Sequence, residues 1–136
     1  GNLMMWGFVN NNIVFMQTDK SQPNLIVDLS FEFAKKIIRF VEQLEKDRKF
    51  VVANQLLKSG TSIGANVREA QNAESKADFI HKMKIAAKEA DETTYWLLLC
   101  KEVYATLNTD ELLATCESIS KILSKIISSS KSKPML

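Results

Sequence analysis

Carboxylates, one imidazole and two thiols are the side chains of this chain that could do chemistry, and their spacing limits what that chemistry is. Glu69, Glu89 and Glu92 are acids that two neighbouring helices would bring together. A carboxylate-bridged metal pair inside a helix bundle requires Glu-x-x-His motifs on two helices. The chain has a single histidine, His81, and no glutamate stands three residues before it. No metal site is therefore expected. A lone histidine without a paired nucleophile makes no triad. Cys100 and Cys116 lie in apolar-periodic stretches and read as reduced core residues, not as a disulfide framework. With no nucleophile–base pair and no phosphate loop, no catalytic residue, no cofactor and no small-molecule substrate are expected, and the chain does not read as an enzyme.

The stronger polar signal is a strip of Ser59, Ser62, Asn66 and Glu69 within the run Ser59-Gly60-Thr61-Ser62-Ile63-Gly64-Ala65-Asn66-Val67-Arg68-Glu69-Ala70. The run has helical periodicity yet holds two glycines. Each glycine in a helix interior costs about 1 kcal/mol relative to alanine. The usual reason for accepting that cost is close approach of another backbone. The run is thus a packing face, and Glu89 and Glu92 on the next helix can face it. A ligand site is one reading. A buried polar network that sets helix register, or meets a neighbouring subunit, is the weightier one. The residues assigned to helix packing or a subunit interface are Ser59, Gly60, Ser62, Gly64, Asn66, Glu69, Ala86, Glu89, Ala90 and Glu92. Gly60 and Gly64 on the second helix, with Ala86 and Ala90 on the third, are expected to supply the close contacts.

These residues need long helices to position them. Only Pro23 and Pro134 interrupt the chain, and the interval between them is filled by apolar-periodic segments. The first helix is expected over residues 29–46. Phe31, Phe33, Ala34, Ile37, Ile38, Phe40, Val41 and Leu44 cover roughly half its circumference, wider than the ~100° stripe that one core contact requires. That surplus points to a second buried contact, within the bundle or with another subunit. The second helix is expected over residues 50–73, after a charged turn, with a seam of Leu56, Gly60, Ile63, Val67 and Ala70. The third, over 75–106, opens on Ser75-Lys76-Ala77-Asp78, a capping-box outline with Asp in place of Glu. The fourth starts at a Thr109 cap with Asp110 and Glu111 in its first turn. Four amphipathic helices on short links give an all-α, up-down-up-down four-helix bundle over residues 25–128. Residues 1–24 form an N-terminal extension, irregular or a short strand or hairpin turning at its asparagines. Residues 129–136 read as a basic disordered tail.

Composition adds bounds. The apolar fraction is 46% and the charged fraction 25%, those of an ordinary soluble protein. A net charge of +2 does not by itself declare a nucleic-acid binder. Residues 3–15 fall short of the ~18–20 apolar residues of a membrane span and lack the start and cleavage pattern of a signal peptide. No membrane role and a cytoplasmic location are expected. Tyr95 points outward and Trp96 toward the seam. Lys35, Lys36, Arg39, Lys84, Lys88, Lys121 and Lys125 are the possible nucleic-acid contacts, with Lys82, Lys131 and Lys133 adding to the basic faces.

The order of segments resembles a known family. Ser30-Phe31-Glu32-Phe33-Ala34 is followed by the Ser59, Ser62, Asn66, Glu69 pattern. Next come Asp78-Phe79-Ile80-His81-Lys82-Met83-Lys84-Ile85-Ala86 and Lys88-Glu89-Ala90-Asp91-Glu92-Thr93-Thr94-Tyr95-Trp96-Leu97. Over residues 24–127 this is similar to the bacterial 23S rRNA intervening-sequence proteins, also called S23 ribosomal proteins. The resemblance implies a bundle that assembles as a homopentameric ring and brings no enzyme activity. It also implies a link to nucleic acid: some members are encoded in insertions within ribosomal RNA genes, and a related accessory protein partners a reverse transcriptase. The leading expectation is a homo-oligomeric scaffold or accessory protein for RNA, DNA or a nucleic-acid enzyme, binding phosphate non-specifically through outer lysines and arginines. The alternative is a protein–protein interaction module with no nucleic-acid role.

Overall fold

Apolar residues at alternating spacings of three and four run through most of the chain, and the computed structural model, which describes residues 3–9, 12–18 and 24–132, turns them into four helices. These are α1 (Leu25–Lys46), α2 (Phe50–Ala70), α3 (Lys76–Val103) and α4 (Asp110–Ser132). They pack in sequence order, α1 on α2, α2 on α3 and α3 on α4, and α4 closes back against α1. Short links make consecutive helices antiparallel, which is the expected up-down-up-down bundle. Before it, β1 (Leu3–Val9) and β2 (Asn12–Thr18) form an antiparallel pair running from Leu3 opposite Thr18 to Val9 opposite Asn12. The extension is thus a hairpin in its backbone; the expected turn at the asparagines falls partly on residues outside those described.

The core runs the length of the bundle. Phe33, Ile37 and Leu44 from α1 meet Leu56, Ile63 and Val67 from α2, Phe79, Met83 and Leu97 from α3, and Ile119 and Leu123 from α4. Each such side chain, fully withdrawn from water, contributes about 1.5–3 kcal/mol. Cys100 and Cys116 are both buried and free. Burial pushes both thiols above their ordinary range, as expected of inert core cysteines.

The helix ends depart from the periodicity for local reasons. α1 starts at Leu25, earlier than expected, because Ile26 and Ser30 are buried and the Asn24 side-chain amide donates to Gln71 Oε1 at 3.0 Å. The α1–α2 turn contains no glycine. Arg48 takes the left-handed conformation there at φ 60°, and the Lys49 amide donates to the Leu44 carbonyl at 2.9 Å. The Ser75 cap forms: its hydroxyl accepts from the Asp78 amide at 3.0 Å, and Asp78 Oδ2 accepts from the Glu74 amide at 3.1 Å. The Thr109 cap does not. Asn108 Oδ1 takes the Asp110 amide at 3.1 Å, and the buried Thr109 hydroxyl has no partner among the described residues. α4 continues to Ser132, past the expected start of the tail, with Ser130 buried and its hydroxyl donating to the Ile126 carbonyl at 2.6 Å.

Candidate functional site

The polar strip on α2 is built from side chains short enough to bond back to their own helix. Ser62 Oγ donates to the Lys58 carbonyl at 2.6 Å, and Asn66 Nδ2 donates to the Ser62 carbonyl at 2.9 Å. Such back-bonding satisfies a donor without a partner helix. Ser59 does more. It is buried, donates to the Leu56 carbonyl at 3.4 Å, and accepts from Thr93 Oγ1 of α3 at 3.0 Å. That buried hydroxyl pair ties α2 to α3. At the strip's far end the exposed Glu69 lies 3.7 Å from Lys82.

Of the acids of α3, Glu89 lies within electrostatic range of Lys58 of α2, beside the strip. Glu92 accepts from Trp96 Nε1 on its own helix at 3.3 Å. Partial burial and the neighbouring Glu92 push the Glu89 carboxyl above its ordinary range, while Lys58 and Lys88 pull it back. Among the described residues no three His, Cys, Asp or Glu side chains come close enough to hold a metal ion. Among the described residues no helix is long and apolar enough to cross a membrane.

The glycines face a different neighbour from the one expected. A methyl group added at Gly60 would sit 2.8 Å from Ile37 Cγ2, and one added at Gly64 would sit 3.2 Å from the Ser30 carbonyl oxygen. Both belong to α1, not α3. On α3 the Ala90 carbonyl accepts from Cys116 Sγ of α4 at 3.4 Å. Helical periodicity shows that two backbones must approach, but a wheel of one helix does not say which neighbour fills the space. Ala86 and Ala90 are fully buried.

The close α1–α2 contact leaves an apolar outer face. Phe31 is 51% exposed, Phe50 57% and Val51 77%, with Ile38 nearby in the α1 stripe. Phe31 has the Lys35 ammonium 5.4 Å and the Arg68 guanidinium 5.9 Å from its ring centre. Val41 and Glu45 of α1, with Phe50, Ala53, Asn54 and Leu57 of α2, line a groove of about 310 Å³. The sequence pointed to an over-wide arc on α1. It gave no signal for Arg68 or for the groove, because both arise only when α2 is laid beside α1. On α3, Tyr95 is exposed and Trp96 packs partly against the core, the two rings edge-on at 5.2 Å.

The basic residues divide by partner. Lys35 pairs with Glu32 at 2.8 Å, Lys36 with Glu111 at 2.6 Å and Lys121 with Glu117 at 3.3 Å. The Lys36 ammonium holds the Glu111 carboxyl below its ordinary range. Arg39, Lys84, Lys88, Lys125 and Lys131 are without a carboxylate partner among the described residues and project to solvent or lie at the surface. Lys133 lies outside the described residues.

Comparison with known proteins places this geometry. A crystal structure from Bacteroides thetaiotaomicron, described as a protein of unknown function from the S23 ribosomal protein family, is 45% identical. It matches 75% of this chain and 97% of its own, with a TM-score of 0.70. None of the curated proteins matches the chain. The family model described as 23S rRNA-intervening sequence protein matches residues 23–125, which takes in all of α1, α2 and α3 and most of α4, and the chain therefore belongs to the 23S rRNA-intervening sequence protein family.

Proposed function

We propose that the chain is a non-enzymatic scaffold or accessory protein of the cytoplasm that assembles with copies of itself, as a homopentameric ring, and holds nucleic acid through its outer cations. The observation that carries this reading is the apolar outer face of α1 and α2. Phe31, Ile38, Phe50 and Val51 stand exposed along two helices whose inner faces already fill the core. Exposed apolar side chains of this kind, Phe31 toward one end of the pair and Phe50 and Val51 toward the other, mark an interaction site, and head-to-tail contact between identical chains closes into a ring where the rotation allows. Cations without a carboxylate partner among the described residues occur on both halves of the bundle, Arg39 and Lys58 on α1 and α2 and Lys84, Lys88, Lys125 and Lys131 on α3 and α4, and a ring multiplies each of them by the number of subunits.

Light scattering tests the assembly. The expected mass is five times the 15.4 kDa chain, and a monomer overturns the reading. Filter binding across a salt series tests the nucleic-acid role, with affinity expected to fall steeply as salt rises. The groove beneath Phe50 favours a second reading, in which α1 and α2 dock a protein partner and no nucleic acid is involved. A pull-down with and without nuclease separates the two.

A further inference from the structure

Two exposed apolar faces with different flanking charges lie on opposite corners of the bundle. The helices close in the order α1, α2, α3, α4, so α1 and α3 stand diagonally and their outer faces point apart. On α1, Phe31 and Ile38 are both exposed and lie about two turns apart on one stripe, with Lys35 between them. On α3, Tyr95 and Leu98 form an exposed pair one turn apart, 57% and 47% accessible, while Leu97 and Cys100 of the same helix fill the core.

The charges beside the two faces are complementary. The Phe31 ring has the Lys35 ammonium at 5.4 Å and the Arg68 guanidinium at 5.9 Å. Lys35 is engaged by Glu32 at 2.8 Å, and Asp28 precedes Phe31 by one turn. Arg68 has no carboxylate partner among the described residues. Beside Tyr95 and Leu98 the surplus is acidic. Asp91 precedes Tyr95 by one turn and Glu102 follows Leu98 by one turn. Both are exposed and without a cationic partner among the described residues. Glu92 accepts from Trp96 Nε1, and Lys101, the cation nearest Leu98, is held by Asp110 at 3.4 Å. Lys88, one turn before Asp91, acts on the neighbouring Glu89 carboxyl.

A face that meets its own image sets like charges together, Arg68 near Arg68 or Asp91 near Asp91. Contact between the two unlike faces sets the unpaired cation of one against the unpaired acids of the other, and such complementarity selects the partner. A head-to-tail contact requires two different patches on each chain, and these two are present on different sides of the bundle.

Resting on the self-assembly reading above, we propose that the Phe31–Ile38 face of one copy docks on the Tyr95–Leu98 face of the next, with Arg68 set against Asp91. Each copy then uses both faces, and losing one face leaves the other able to bind.

The test mixes two double variants and reads mass by light scattering. Phe31→Ser with Ile38→Ser removes the α1 face, and Tyr95→Ser with Leu98→Ser removes the α3 face. All four side chains are exposed, and circular dichroism checks that helix content is kept. Each variant alone is expected to stay at the mass of one chain. Their equimolar mixture is expected to reach twice that mass and no more, because one intact contact forms and neither end can extend it. A mixture that stays at the mass of one chain, or an α3-face variant that assembles as the wild type does, overturns this contact and leaves self-assembly standing. A wild type that is itself a monomer overturns both. Charge reversal supplies a reading that does not depend on apolar substitutions. Arg68→Glu is expected to raise the concentration for half assembly about tenfold, and Asp91→Lys in the same chain to restore it. Absence of rescue overturns the Arg68–Asp91 pairing.

Discussion

The α1–α2 pair and the α3–α4 pair have the same architecture and are joined in different ways. α1 and α2 meet through glycines, with Gly60 against Ile37 and Gly64 against the Ser30 backbone, and their outer face carries Phe31, Ile38, Phe50 and Val51. α3 and α4 meet through a thiol and a hydroxyl, and their surface exposes Lys84, Lys88 and Lys131 beside the apolar Tyr95, Leu98 and Val103. The contrast therefore lies in the contacts between helices: glycines seat α2 against the α1 backbone, whereas polar side chains join α3 to α4.

The largest way to break this contrast is to fill the glycine contact. Gly60→Val places a branched side chain against Ile37, whose own β-branched stem has little freedom to move. A loss of about 3 kcal/mol is expected in urea unfolding, overpacking outweighing any gain in helix propensity. Gly64→Ala, with its nearest contact at 3.2 Å, should cost much less. If Gly60→Val unfolds at the wild-type urea midpoint, the close-packing account is wrong.

Next comes the outer face. Phe31→Ser with Phe50→Ser removes two exposed aromatics from α1 and α2. Association should weaken by about 2–4 kcal/mol per interface, as for aromatic anchors elsewhere, with the unfolding midpoint of the separated chain little changed. Sedimentation velocity reads this directly. An unchanged mass would move the self-contact to another face.

A smaller effect is expected where the two pairs are tied together. Ser59→Ala deletes the acceptor for Thr93 Oγ1, which keeps its second partner, the Glu89 carbonyl at 2.7 Å. The cost should be about 1 kcal/mol, seen in thermal or urea unfolding. A loss several times larger would show that the hydroxyl pair organises the α2–α3 interface and does not merely fix its register.

The smallest effect belongs to the other tie, Lys36 with Glu111 between α1 and α4. Both side chains are exposed, and such pairs contribute little. Their signature is in titration. Because the folded-state pKa of Glu111 is depressed, its contribution to stability is present above the ordinary carboxylate range and is lost as pH falls through the folded value. Lys36→Ala should return Glu111 to the ordinary range in an NMR titration. A Glu111 pKa that stays low would mean another group holds it down.

Much of the bundle was legible because each helix repeats its own pattern. Leu56, Gly60, Ile63 and Val67 alternate by four and three, and all four are buried. The Ser75–Asp78 cap was readable because it depends on residues three apart. The Thr109 cap was misread because Asn108, one residue earlier, competes for the same amides with an equally suitable side chain. On α3 the buried Ala86, Ala90 and Thr93 are only weakly apolar, and their four-and-three spacing with Phe79, Met83 and Leu97, not their hydrophobicity, marks the buried face. The candidate contacts were legible as residue types but not as a site. Lys35, Lys36, Lys84 and Lys121 look alike along the chain, and only their neighbours distinguish a paired lysine from an unpaired one.

The amino-acid order alone determined the number of helices, the residues each buries and the need for two backbones to come close, because these depend on spacing within one helix. The tertiary structure decided that α1 receives the glycines, that Arg68 lies over Phe31, and that Lys36 of α1 meets Glu111 of α4. Those are relations between helices far apart in sequence. They are set by which faces the closed ring of four helices turns toward one another, a choice no single helix encodes.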